Sequence, residues 1–214
     1  MRLYDYAASG NCYKARLLLA LLDRPYERVA VDIFAGDTLT DEFGLLNPVR
    51  ETPVLVLDSG EVITQSNAIL WYLGEGTSYL PESTVDRARV VQWLAFEQER
   101  VMAGVGGARF RRITGREALD PEGVASRYAL GEEALGVLEQ QLADREFVVG
   151  DRCSIADVSL FAYTHVAGDA GYDLRRLPAV AAWLERVRAE PGFVDDLVPY
   201  GANARPGAGR SIYD

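Results

Sequence analysis

The chain has 214 residues, 49% of them hydrophobic and 25% charged, and a formal net charge of −10. That size and composition suit a folded soluble protein of one large or two small domains, while the negative balance excludes a nucleic-acid surface or an anionic membrane as the main partner. Two cysteines, Cys12 and Cys153, are too few for a disulfide framework and point to a reducing compartment; the apolar run Leu17 to Leu22 is far shorter than the ~20 residues of a membrane span, and a cytoplasmic location is expected.

In chain order, "RLYDY" (residues 2–6) predicts a short strand, and residues 11–22 an apolar helix that stops before Asp23-Arg24-Pro25. "YERVAVDI" from Tyr26 to Ile33 is β-branched and strand-like, and Phe34 to Asn47 is looser, with one or two helical turns. A hairpin follows: Pro53 to Leu57, the turn Asp58-Ser59-Gly60, and Glu61 to Thr64. "QSNAILWYLGEG" closes the unit as a helix with Ala68, Ile69, Tyr72 and Leu73 on one face.

From Asp86 the periodicity is almost wholly helical. Residues 86–113 predict one long helix slackened by Gly104, Gly106 and Gly107, and residues 121–144 another with Pro121 in its first turn. Two more run from Ile155 to Gly168 and from Pro178 to Glu190, before a Gly- and Pro-rich tail with no regular structure. The expected division is an α/β domain over residues 1–80, an all-α domain over 86–200 and an irregular tail over 201–214.

Four short stretches carry candidate chemistry. Ser9-Gly10-Asn11-Cys12-Tyr13-Lys14 lies where a strand turns into a helix, and the unpaired N–H groups and positive dipole end there favour an anion such as a thiolate or phosphate. Ser9 and Asn11 either cap the helix or donate to that anion; Cys12 is either a nucleophile of lowered pKa or core packing. At Glu51-Thr52-Pro53 a proline opens a strand, and a cis bond there would turn the Thr52 backbone outward for a strand-like ligand. Ser66, after Gln65, either caps the next helix or holds a ligand carboxylate with the N–H groups that follow. Ser154-Ile155-Ala156-Asp157 fits a capping box and has a structural reading. The single histidine, His165, falls among apolar helix residues, and no cluster has metal-ligand spacing, so no metal is expected.

Taken together and in order, Ser9, Asn11 and Lys14, then Asn47, Pro48, Thr52 and Pro53, then Gln65 to Ile69 with Tyr72 and Leu73, and finally Ser154 to Asp157 resemble the pattern of cytosolic glutathione transferases, bacterial type with a Ser/Thr-x-Asn first helix. The resemblance implies a thioredoxin-like N-terminal domain followed by an α-helical glutathione-transferase C-terminal domain, a homodimer with a role in detoxification, and glutathione as co-substrate with a small electrophile or disulfide as its partner. It implies that Ser9 and Asn11 face the thiol, that the backbone of Thr52 before a cis Pro53 pairs with the cysteinyl part, and that Gln65 and Ser66 hold the γ-glutamyl end. The family often has Lys or Gln where this chain has Glu51, an acid that would repel the glycyl carboxylate, so that contact is moved to Arg50. Arg109 and Arg112, in "ARFRR", are either contacts for an anionic or aromatic co-substrate between the domains or part of a solvated helix face. The expected activity is activation of the glutathione thiol for attack on an electrophile; glutathione-dependent disulfide reduction, or a non-catalytic module of the same fold, are the alternatives.

Overall fold

In a computed structural model of the chain, which describes residues 1–213, the molecule divides into two units. The first comprises Met1–Leu73 together with the segment from Val194 onward; the second is Gly74–Phe193.

The first unit is a four-stranded sheet with helices. Strand β1 (Arg2–Asp5) leads into α1 (Gly10–Leu21), β2 (Glu27–Ala30), a short 3-10 turn at Asp37–Leu39, α2 (Asp41–Leu46), the hairpin β3 (Val54–Val56) and β4 (Val62–Thr64), and α3 (Ser66–Gly74). The sheet order is β2-β1-β3-β4, with β1 parallel to β2 and antiparallel to β3. Its faces follow from the period of two. Tyr4, Val54 and Val56 pack with Val31, Phe43, Ile33 and Leu46 on the α2 side. Leu3 and Leu55, opposite each other in register, point the other way and are fully buried, as are Leu17 and Leu18 of α1 and Ile69 and Leu70 of α3. This is the thioredoxin-like arrangement expected from the βαβ then ββα order.

The segment from Val194 onward stays irregular apart from a 3-10 turn at Ala202–Ala204, but it is not a separate tail: it groups with the first unit, and the helical unit ends at Phe193. Its anchors are specific. The Tyr13 hydroxyl donates to Val194 O at 2.6 Å, buried Arg16 reaches Asp196 at 2.9 Å while also pairing with buried Asp5, Tyr200 packs on Tyr6 and Phe34, and Arg210 N–H donates to Phe34 O at 2.8 Å. Asp214, the last residue of the expected tail, lies outside the described residues.

The helical unit holds α4 (Thr84–Phe96), a π-helical stretch over Glu97–Gly106, α5 (Gly107–Ile113), α6 (Pro121–Leu142), α7 (Ile155–Thr164) and α8 (Pro178–Arg188). The one long helix expected over 86–113 is thus continuous in path but widened to π geometry in its middle. Glycine at position 104 has a packing reason there: a Cβ would lie 2.6 Å from Gly131 N, so the π segment and α6 cross backbone to backbone. The capping box at Ser154 is present, and its Asp157 is fully buried, accepting from the N–H groups of Val148 and Ser154, the Ser154 hydroxyl and Trp183 Nε1 at 2.8 to 3.0 Å. His165 ends α7, its Nδ1 2.8 Å from Phe161 O and its ring stacked on Phe161. No helix among the described residues is long and apolar enough to cross a membrane.

Candidate active site

The site is built on the first unit, where three chain segments meet. At the start of α1, Ser9 has extended backbone (φ −81°, ψ 124°) and its Oγ accepts from the Cys12 N–H at 3.3 Å, the geometry of an N-cap. The same hydroxyl also hydrogen-bonds the Cys12 sulfur, so facing a ligand thiol requires its proton to turn away from Cys12 while the cap is kept. The first turn of α1 carries no acid, and neither does that of α3. Both helix starts therefore present uncancelled positive ends.

Those two starts are joined. Ser66, almost fully buried, donates its hydroxyl to Asn11 Oδ1 at 3.3 Å, and the ammonium of fully buried Lys14 donates to Asn11 Oδ1 at 3.0 Å and to Ser66 Oγ at 3.4 Å. The Ser66 proton is thus spent inside the protein. The hydroxyl that the sequence pattern offers to a ligand carboxylate is therefore already engaged. Gln65, just before, is exposed and has φ 70°, a left-handed conformation that costs a non-glycine residue about 1–2 kcal/mol; its carbonyl accepts the first helical bond, from Ile69 N–H.

The third segment is Glu51-Thr52-Pro53, with a cis Thr52–Pro53 peptide. The Thr52 side chain turns inward and hydrogen-bonds the Cys12 sulfur, while among the described residues no backbone group pairs with the Thr52 N–H or C=O. An unpaired peptide edge beside two helix starts suits an extended ligand. Cys12 itself is a core residue. Burial, and after it the charge of Asp5, push its thiol up to about 11 against the opposing hydrogen bonds from Thr52, Ser9 and the Tyr6 N–H. A thiol of that pKa is not a nucleophile at neutral pH.

The arginines are placed differently from the sequence expectation. Arg50, itself left-handed at φ 61°, donates through Nη1 to Thr38 O at 2.9 Å and Thr40 O at 2.7 Å, and its guanidinium lies over Gly44, where a Cβ would come within 2.7 Å. It braces the segment before α2, and a swing toward a ligand would break both bonds. Glu51 accepts through its carbonyl from Asn47 Nδ2 at 2.8 Å. In the helical unit, Arg109 is buried and paired with Asp169 at 2.9 Å; Arg112 lies over the Tyr128 ring, pairs with Glu117 and donates to Ala170 O. Both are held by acceptors of their own unit, neither a solvated face nor open cations. A cavity of about 680 Å³ elsewhere in that unit, near Glu75, Arg87, Asp151 and Arg152, is lined by neither cysteine nor histidine, and its Arg87 is paired with Glu75. Among the described residues no group of three or more His, Cys, Asp or Glu is placed to hold a metal ion.

Sequence reasoning singled out Ser9, Asn11, Thr52, Pro53, Gln65 and Ser66, and the structure brings them into one region. It passed over Lys14 as a binding element, although the spacing of three from Asn11 on a helix was a usable signal.

Comparison with known proteins agrees with this architecture. Residues 8–75 match the family model for the glutathione S-transferase N-terminal domain and residues 121–186 the one for its C-terminal domain. The crystal structure of a glutathione S-transferase from Pseudomonas fluorescens superposes with a TM-score of 0.87 at 42% identity, covering 92% of this chain and 98% of that one. Glutathione S-transferase theta-1 of Bos taurus is 31% identical over 91% of this chain and 85% of its own length. The disulfide-bond oxidoreductase YfcG of Escherichia coli is 28% identical over 87% of this chain and 89% of its own. With both domain models matched and full-length relatives at this identity, the chain belongs to the glutathione S-transferase family.

Proposed function

We propose that the protein binds glutathione on its first unit and activates the thiol for attack on a small electrophile. The observation that carries this reading is the 3.3 Å contact between Asn11 and Ser66, which draws together two acid-free helix starts 55 residues apart, next to the open backbone of Thr52. Glutathione brings two carboxylates, one ammonium and a thiol. The helix start at Ser66 supplies backbone donors to the γ-glutamyl carboxylate with Gln65 at its rim; the Thr52 peptide pairs with the cysteinyl backbone ahead of Pro53; Ser9 and Asn11 donate to the sulfur. Arg50 contributes by bracing the neighbouring segment, and Arg109 and Arg112 by stabilising the helical unit.

Mechanistically, the thiol loses its proton to water, the thiolate forms the new bond to the electrophilic atom, and the leaving group departs with its electron pair or, in an addition, the electrophile takes up a proton from water. A thiol of pKa about 8.5 is about 3% ionised at pH 7, and lowering it by two units, worth about 2.7 kcal/mol, raises that roughly twenty-five-fold. Nucleophilicity falls along with pKa, with a Brønsted slope of about 0.4–0.5, and removes about eightfold of the gain. Holding the electrophile beside the sulfur must supply the rest, where orientation contributes several kcal/mol.

On the same reading the protein is a cytoplasmic homodimer with a detoxifying role, needing no metal. A second reading, glutathione-dependent disulfide reduction, draws on the likeness to the disulfide-bond oxidoreductase; with serine at position 9 and the Cys12 thiol raised, two glutathione molecules supply the electrons and leave as their own disulfide while the substrate disulfide becomes two thiols. Calorimetric titration with glutathione, followed by turnover on matched panels of electrophiles and disulfides, tests both. Heat on binding with conjugate formation supports transfer, binding with disulfide turnover alone supports reduction, and no heat and no thermal shift would leave a non-catalytic module.

A further inference from the structure

We infer that Lys14 is a positioning residue that fixes which face Asn11 and Ser66 turn to the ligand. The inference deepens the proposed function and rests on it. An ammonium has three donors and no acceptor, so it can face only the oxygen of a carboxamide. With Lys14 Nζ 3.0 Å and the Ser66 hydroxyl 3.3 Å from Asn11 Oδ1, that oxygen is claimed from inside, and the Asn11 amide is locked with its NH2 on the opposite corner. Without the cation, a carboxamide at this place is equally satisfied the other way round, its NH2 donating inward to the Ser66 hydroxyl and its oxygen presented to the sulfur. That orientation would repel a thiolate.

Lys14 thereby makes Asn11 a donor. By donating to Ser66 Oγ at 3.4 Å it also holds the hydroxyl with its proton aimed at Asn11. A lysine with no exposed surface is costly to bury, and among its contacts are two site residues on different helices.

The test uses the full chain and glutathione itself, reading the apparent pKa of the bound thiol from ultraviolet thiolate absorbance against pH, with kcat and KM. Lys14→Met, apolar and of similar length, is expected to raise that pKa by about one unit and lower kcat about threefold below it, the roughly tenfold loss of thiolate being partly offset by its greater nucleophilicity, with KM changing less. Lys14→Gln serves as a second removal of the charge where the methionine variant folds poorly, and Lys14→Arg is expected to restore much of the pKa depression. The decisive arm is a double-mutant cycle: if Lys14 acts through Asn11, then in an Asn11→Ala background Lys14→Met shifts the thiol pKa no further. An unchanged thiol pKa in both uncharged variants, or an undiminished shift in the Asn11→Ala background, overturns the inference. Failure of the wild-type chain to bind glutathione is a different result, and it sinks the proposed function instead.

Discussion

Serine stands at the start of α1, α3 and α7, and the three helix starts meet opposite fates. At α7 the chain supplies its own anion. Asp157 gathers four donors around one carboxylate with no exposed surface, and burial raises its pKa in spite of them. Nothing is left for a ligand. At α1 and α3 the first turns carry no acid of their own, and the inward partner of Asn11 and Ser66 is the ammonium of Lys14. The residue at the cap therefore says little about function; whether a carboxylate follows it within the first turn says a good deal.

Breaking the closed start has the largest expected effect. Asp157→Ala strands several buried donors, each worth about 1–3 kcal/mol when unsatisfied, and denaturant unfolding should show a loss on the order of 4 kcal/mol, with glutathione affinity of the folded fraction unchanged. Next comes the one ionisable thiol at the open start of α1. Unfolded, Cys12 ionises near 9.0, while folded it holds its proton to about 11. The unfolded state loses its proton first, so the stabilisation is complete below pH 9 and fades as pH rises from 9 to 11, by about 2–3 kcal/mol. Wild type and Cys12→Ala unfolded across that window should differ in slope by this amount, and parallel curves would place the thiol in contact with solvent.

Converting the open start into a closed one sharpens the contrast further. Asn11→Asp gives α1 an internal carboxylate beside Lys14; kcat/KM should fall about thirtyfold, about 2 kcal/mol in barrier, because a negative group now faces the thiolate. Thermal stability should hold or rise slightly, since an acid in the first turn is worth about 0.3–1 kcal/mol. Ser9→Ala should lower kcat about tenfold with KM nearly constant, whereas Ser154→Ala should cost about 1 kcal/mol of stability and no activity. Smallest is Glu51→Gln, which removes a repulsive charge near the Thr52 edge and should tighten glutathione about threefold, with the gain shrinking as salt is added. Equal responses of Ser9→Ala and Ser154→Ala in both assays would erase the distinction between the two kinds of start.

Much of this was legible locally. Period-two and period-3.6 patterns located every strand and long helix, and the Ser154–Asp157 box reads directly because both partners lie within one turn. The Ser9, Asn11 and Ser66 candidates were legible as helix starts, each with a capping reading beside the binding one. What escaped depends on residues far apart in the chain. Lysine is ordinarily a surface residue, and that Lys14 is buried follows only once Ser66 is folded against it, 52 residues on. Arg109 and Arg112 looked open because their acceptors, Asp169 and Ala170, arrive about 60 residues later. The close crossing of Gly104 on Gly131 likewise joins positions 27 residues apart in the chain.

Because the first unit is completed by the segment from Val194 onward, it cannot close in the order in which a ribosome delivers it. Arg16 and Asp5 emerge early, yet Asp196 and the Tyr200 ring that covers Tyr6 and Phe34 come only after the whole helical unit. A fragment cut after residue 73 would expose aromatic surface and leave a buried guanidinium short of an acceptor. The first unit, on which the proposed function places glutathione, therefore closes only after the helical unit has been delivered, and a nascent chain stalled before residue 194 would carry a helical unit already made and a first unit not yet sealed.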